Sequence, residues 1–137
     1  MNGSCSLCAP NLSLSGETVT DFGDWILLLH PDSAVRGHAM LVAARHVENF
    51  SDLTDSEAAQ FARVHRVAEQ ALLDVTRSDR AILLKLGIQT PHFHLHIYPV
   101  SNRMSRDEVM RVIEACVSET REPSFAKTLR DRIFRLT

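Results

Sequence analysis

The run His92-Phe93-His94-Leu95-His96-Ile97-Tyr98-Pro99 places three histidines at every second position with apolar residues between them. Side chains on a β-strand alternate between faces, so this pattern predicts a strand with His92, His94 and His96 on one side and Phe93, Leu95 and Ile97 on the other. Neighbouring imidazoles on such a strand stand roughly 6.5–7 Å apart. That spacing excludes direct imidazole contact but lets two of them reach one phosphate or surround one ion. A lone histidine on a strand usually reflects packing. Three in strict alternation, with further His and Cys residues elsewhere, point to chemistry.

The chain of 137 residues fits one domain, 1–137, large enough to bury its own core. Hydrophobic residues at 45% and charged residues at 23% are ordinary for a globular protein. Fifteen basic against 17 acidic residues give a formal charge of -2, which supplies no field for gripping a nucleic-acid backbone. A small nucleotide remains compatible, because one phosphate cluster needs only local donors. The longest apolar run, Trp25 to Leu29, is too short to span a bilayer, and the N-terminus has no basic segment followed by an apolar stretch. No membrane association and a cytoplasmic location are therefore expected. Cys5 and Cys8 form a C-x-x-C pair of the kind used for metal binding or redox chemistry in reducing compartments, whereas Cys116 reads as a core residue on a helix.

Thr18 to Phe22 and Trp25 to His30 read as a hairpin joined by Gly23-Asp24, and Ala39 to Ala43 as a third strand. Thr54-Asp55-Ser56-Glu57 has the form of a capping box, followed by Phe61, Val64, His65, Ala68, Leu72 and Val75 at helical spacing, predicting a helix of about twenty residues. Ala81 to Leu86 is the fourth strand and the histidine run the fifth. Ser105 to Glu108 opens a second helix with an apolar stripe of Val109, Val112, Ile113, Cys116 and Val117, ended or redirected by Pro123. The tail fits either state: Phe125, Leu129 and Ile133 suit a helix, Arg132 to Leu136 a strand. The fold expected is α+β, an antiparallel sheet of about five strands with two main helices.

The run from His92 to Tyr98 resembles the H-φ-H-φ-H-φ-φ signature of the histidine-triad (HIT) superfamily of nucleotide hydrolases and transferases, φ being apolar. Leu86-Gly87 and Pro91-His92 look like the leader L-G-N-x-x-P-H of a bacterial branch, and Gly37-His38-Ala39-Met40-Leu41-Val42 with Arg45-His46 is similar to its G-H-x-L-V-x-P-K-x-H segment. Cys5-x-x-Cys8 matches the N-terminal zinc half-site of many members. The resemblance runs from Cys5 to about Cys116 in order and spacing, and it implies a HIT-like fold and a homodimer.

Carried over residue by residue, the resemblance implies that His94 attacks the α-phosphorus of a nucleotide, giving a nucleotidyl-histidine that water hydrolyses. The carbonyl of His92 would orient its ring. His96 and His38 would hold phosphate oxygens as charge builds. His30, before Pro31, stands where relatives often carry an acidic or amide residue for the ribose hydroxyls. Gln89 and Thr90 fall where other branches place a polar pair. Cys5, Cys8, His46 and His92 resemble the zinc site of C-x-x-C members, and two thiolates with two imidazoles suit a closed, structural Zn²⁺. No organic cofactor is implied, nor any metal for the chemistry itself. The chain departs from the pattern at Ile88, where close relatives have Asn, and at Ala44-Arg45, where P-K is common.

The substrate class implied is a dinucleoside polyphosphate, a phosphoramidate or an adenylylated compound. Two other readings compete. In one, His94 and His96 ligate a catalytic zinc; in the other, the chain is a nucleotide-binding regulatory module without turnover.

Overall fold

The computed structural model describes residues 5–9, 11–31, 33–115 and 122–137. Five antiparallel strands, β1 (Glu17–Asp21), β2 (Trp25–Leu29), β3 (Ala39–Ala43), β4 (Arg80–Leu84) and β5 (His94–Val100), form one sheet in the order β1-β2-β3-β5-β4. Helix α1 (Asp55–Thr76) connects β3 to β4, and α2 (Arg106–Glu114) and α3 (Phe125–Leu136) follow β5. No described helix is long and apolar enough to cross a membrane.

The β1–β2 hairpin turns where Gly23 adopts φ 99°, with its N–H donating to the Asp21 carboxylate at 2.8 Å. Both expected capping boxes form: Thr54 accepts from the Glu57 N–H at 3.1 Å and Ser105 from that of Glu108 at 3.1 Å, with each glutamate returning a hydrogen bond. Four of the orphan donors of the two helices are satisfied in this way.

Strand alternation divides the sheet into unlike faces. Trp25, Leu27, Leu41, Ala43 and Ile97 face Val64, Ala68 and Leu72 of α1 and Leu129 and Ile133 of α3, forming the main core. Leu28, Met40 and Val42 point the other way, covered by Leu7 with Cys5, Leu12 and Ile26 at the margin. Because Met40 pairs with His96 and Val42 with His94, both histidines emerge on this second, helix-free face.

The tail, which in the sequence fits either state, is a helix, making α3 a third helix: Phe125, Ala126, Leu129 and Ile133 are buried at helical spacing against α1 and β1, whereas a strand over 132–136 would include only Ile133 of that set. Two strand boundaries need correction. β5 begins at His94 rather than His92, which sits in a bend where Phe93 bonds across to Val47. β4 ends at Leu84, leaving Lys85 and Leu86 beyond the sheet. Val109, Val112 and Ile113 of the α2 stripe are only partly buried, and its Cys116 and Val117 lie outside the described residues.

Candidate active site and metal centre

His94 opens onto a cavity of about 620 Å³ on the helix-free face. Its Nδ1–H donates to the His92 carbonyl oxygen at 2.7 Å, so its Nε2 carries the lone pair. His30, His96, Gln89, Thr90 and Ile88 line the same cavity. His38 does not. It is buried behind His96, with Nε2 2.8 Å from His96 Nδ1 and its own Nδ1 2.8 Å from Ser33 Oγ.

The His38 ring is clamped between two others. His30 stacks on one side at 4.4 Å and 7° between planes, and Tyr98 lies against it at 4.0 Å and 26°. Sequence reasoning missed Ser33 and Tyr98. Tyr98 was accessible to it, since it continues the alternation of His94 and His96; Ser33 sits in a loop whose path no pattern marks.

Burial, reinforced by His30 and His96, holds the His38 pKa down at about 2. Burial followed by the proximity of His94 and His30 brings His96 to about 4. Both rings are thus neutral near pH 7. A histidine whose native pKa lies below its unfolded value takes up protons first in the unfolded chain, so stability falls as pH drops below about 6.5. The His96 contribution declines down to about pH 4, that of His38 further. By pH 5 each histidine should cost the fold about 2 kcal/mol relative to pH 7 or above. Chemical denaturation between pH 7.5 and 5 measures this, and His38→Gln should make the slope clearly shallower.

A second cluster lies at the entry to β5. His92 is 1% exposed, and its Nε2–H donates to the Ala43 carbonyl at 2.6 Å. That bond leaves the Nδ1 lone pair facing Cys5 Sγ at 3.4 Å, Cys8 Sγ at 3.3 Å and His46 Nδ1 at 3.1 Å, while Cys8 Sγ and His46 Nδ1 are 3.2 Å apart. Ligands of a tetrahedral Zn²⁺ at its usual bond lengths stand roughly 3.3–3.7 Å from one another. The donor set therefore fits zinc with little adjustment, and the bond to Ala43 fixes the tautomer that ligation requires. Burial and the adjacent Cys5 push the Cys8 thiol up to about 11. A bound cation reverses this by stabilising the thiolate.

The neighbouring segment is tied down independently. Arg45 bonds the Glu57 carboxylate at 2.8 Å and the Asp52 carbonyl at 3.0 Å, fixing the chain beside His46. All four expected metal residues thus converge. His94 is not among the convergent donors, and His96 instead groups with His30 and His38, with ligand atoms within 4.8 Å of one another.

Solved structures share this architecture. A hypothetical histidine triad nucleotide-binding protein from Sulfolobus tokodaii superposes with a TM-score of 0.71 at 22% identity, covering 96% of this chain and 91% of its own. A Zn-bound histidine triad family protein from Mycobacterium smegmatis gives 0.68 at 18% identity, covering 88% and 86% respectively. A histidine triad protein from Marinobacter aquaeolei gives 0.72 at 15%, covering 92% and 94%. At these identities the likeness concerns the fold. The HIT domain model matches residues 13–103, from the segment ahead of β1 through the whole sheet and the triad strand, and by that match the chain belongs to the HIT-domain family.

Proposed function

We propose that the protein is a nucleotide hydrolase or transferase working at the α-phosphate through a covalent intermediate on His94. The observation that carries this is the His94 Nδ1–H bond to the His92 carbonyl, which leaves Nε2 as a nucleophile on the cavity wall. Nε2 attacks the α-phosphorus as the bond to the leaving group breaks. Water then attacks the same phosphorus, the P–N bond breaks, its electron pair returns to Nε2, and a nucleoside monophosphate departs.

Ser33, His38 and His96 complete the reading as a polarised chain. With Ser33 O–H donating to His38 Nδ1, and His38 Nε2–H donating to His96 Nδ1, His96 is left with its Nε2–H for a phosphate oxygen. His38 then acts as a positioning residue, and the neutral state of both rings keeps this polarity in place. His30, Gln89 and Thr90 are assigned to the ribose and leaving-group ends of the cavity. Zn²⁺ held by Cys5, Cys8, His46 and His92 is structural, since four protein ligands leave it no open position. Thiols serving as ligands fit a reducing compartment such as the cytoplasm.

The test is a screen of nucleotide phosphoramidates and dinucleoside polyphosphates for nucleoside monophosphate release. Turnover of either class without added metal supports the reading; nucleotide binding with no turnover across the screen favours the regulatory module.

Ile88, 80% exposed at the cavity, stands on the proposed path of the leaving group. An apolar side chain gives no hydrogen bond to developing charge, which matters most for poor leaving groups. The protein should therefore favour polyphosphate or adenylylated substrates over alkylamine phosphoramidates. Ile88→Asn should narrow the ratio of the two kcat/KM values; an unchanged ratio would assign the contact to Gln89 or Thr90.

The sheet edges support a homodimer. On β1, Arg130 Nε donates to the Val19 carbonyl at 2.6 Å and Nη2 to that of Thr18 at 3.3 Å, capping edge carbonyls, whereas β4 ends the sheet beside the exposed Leu83, Leu86 and Ile88. Pairing of two β4 edges is proposed. Sedimentation should give twice the chain mass, and Leu83→Lys should shift it toward monomer.

A further inference from the structure

The turn between the two cysteine ligands contributes to the wall of the cavity that holds His94. Ser6 and Leu7, flanked by Cys5 and Cys8, line that cavity together with Ser15, His30 and Met40. Hydrogen bonds make the turn a rigid unit: Asn11 donates from its backbone N–H to the Cys8 carbonyl at 2.7 Å and from its side chain to the Cys5 carbonyl at 2.9 Å, and Ser15 Oγ donates to the Ser6 carbonyl at 2.6 Å. Two things fasten this unit to the sheet. One is the packing of Leu7 on Leu28, Met40 and Val42; the other is the convergence of Cys5 and Cys8 on His46 and His92.

We propose that the metal-binding turn forms one wall of the nucleotide pocket, with Leu7 and Ser6 packing against the nucleoside end of the substrate, so that metal occupancy sets nucleotide affinity. This rests on the reading under Proposed function and adds to it a role for the metal site beyond stability. The face beneath the cavity carries no helix, so the N-terminal segment supplies its apolar cover. Without the metal, the turn keeps its apolar contact and only weak thiol–imidazole contacts to His46 and His92, letting the wall move off the sheet. Linkage makes the coupling reciprocal: if metal strengthens nucleotide binding, nucleotide must retain metal by the same factor.

Retention gives a readout independent of catalysis. The zinc affinity of the wild-type protein, measured at equilibrium against a competing chromophoric chelator, should rise about tenfold at saturating AMP, protecting the site from the chelator. Leu7→Ala should keep its zinc, bind AMP about tenfold more weakly in calorimetry and lose most of that protection, with KM for a hydrolysed substrate rising far more than kcat falls. Ser15→Ala, which frees the Ser6 carbonyl without touching the Leu7 packing, should show the same changes to a smaller degree and serves if Leu7→Ala does not retain metal. Equal zinc affinities with and without AMP in the wild type would overturn the proposal. So would full protection in a zinc-loaded Leu7→Ala protein, which would route the coupling through His92. Wild type that binds AMP while both variants match it leaves the α-phosphate reading standing and removes this one; wild type that binds no nucleotide removes both.

Discussion

Replacing His94 with asparagine should lower turnover by at least about 10³-fold while AMP binding stays measurable. Asparagine retains a side-chain N–H that can take over the 2.7 Å bond to the His92 carbonyl, so the strand keeps its geometry; what disappears is the Nε2 lone pair facing the cavity. His96, with Ser33 and His38 behind it, remains to hold phosphate oxygens. Intact-protein mass spectrometry of rapidly quenched wild type should show a nucleotidyl adduct mapping to His94, and none on the variant. Wild-type turnover in His94→Asn would remove the nucleophile assignment.

The second large effect concerns the metal. The purified protein should carry about one tightly held zinc per chain, and Cys5→Ser combined with Cys8→Ser should lose it. A ligand present at a thousand times its dissociation constant stabilises the native state by about 4 kcal/mol. For a domain of this size that corresponds to a fall in melting temperature on the order of 10 °C, measurable by calorimetry alongside metal analysis. Hydrolysis should persist in the double variant at low temperature, with weaker substrate binding if the turn forms the pocket wall. Turnover that instead rises and falls with a second, loosely held metal would revive a catalytic zinc on the triad. The structure gives that alternative little support, because among the described residues His94 lies outside both convergent sets of donors.

Local pattern carried the reading of single elements a long way. Alternation in the histidine run determines that His94 and His96 share a face, and the boxes at Thr54 and Ser105 mark helix starts because each pairs a hydroxyl with a carboxylate three residues on, within reach of the same backbone donors. The four residues that the resemblance names as metal ligands converge in space although they come from three separate segments. The α3 tail was ambiguous for a physical reason: a short stretch with apolar residues at 125, 129, 133 and 136 satisfies the helical and, in part, the strand period, and only the available surface on α1 and β1 chooses between them.

What the sequence determined by itself, then, is where strands and helices form and which side chains share a face, since both follow from periodicities within a few residues. Tertiary structure decided how the histidines are used. His96 meets His38 across 58 positions of sequence, and His92 meets Cys8 across 84. Those contacts set tautomer and burial, turning three similar imidazoles of one short run into a buried ring facing two thiols and His46, a ring whose Nδ1 is tied to a carbonyl beside the cavity, and a ring bonded to the buried His38. The bend that releases His92 from β5 toward the cysteines, and the N-terminal turn that closes the cavity, arise from packing between distant segments, which no local period encodes.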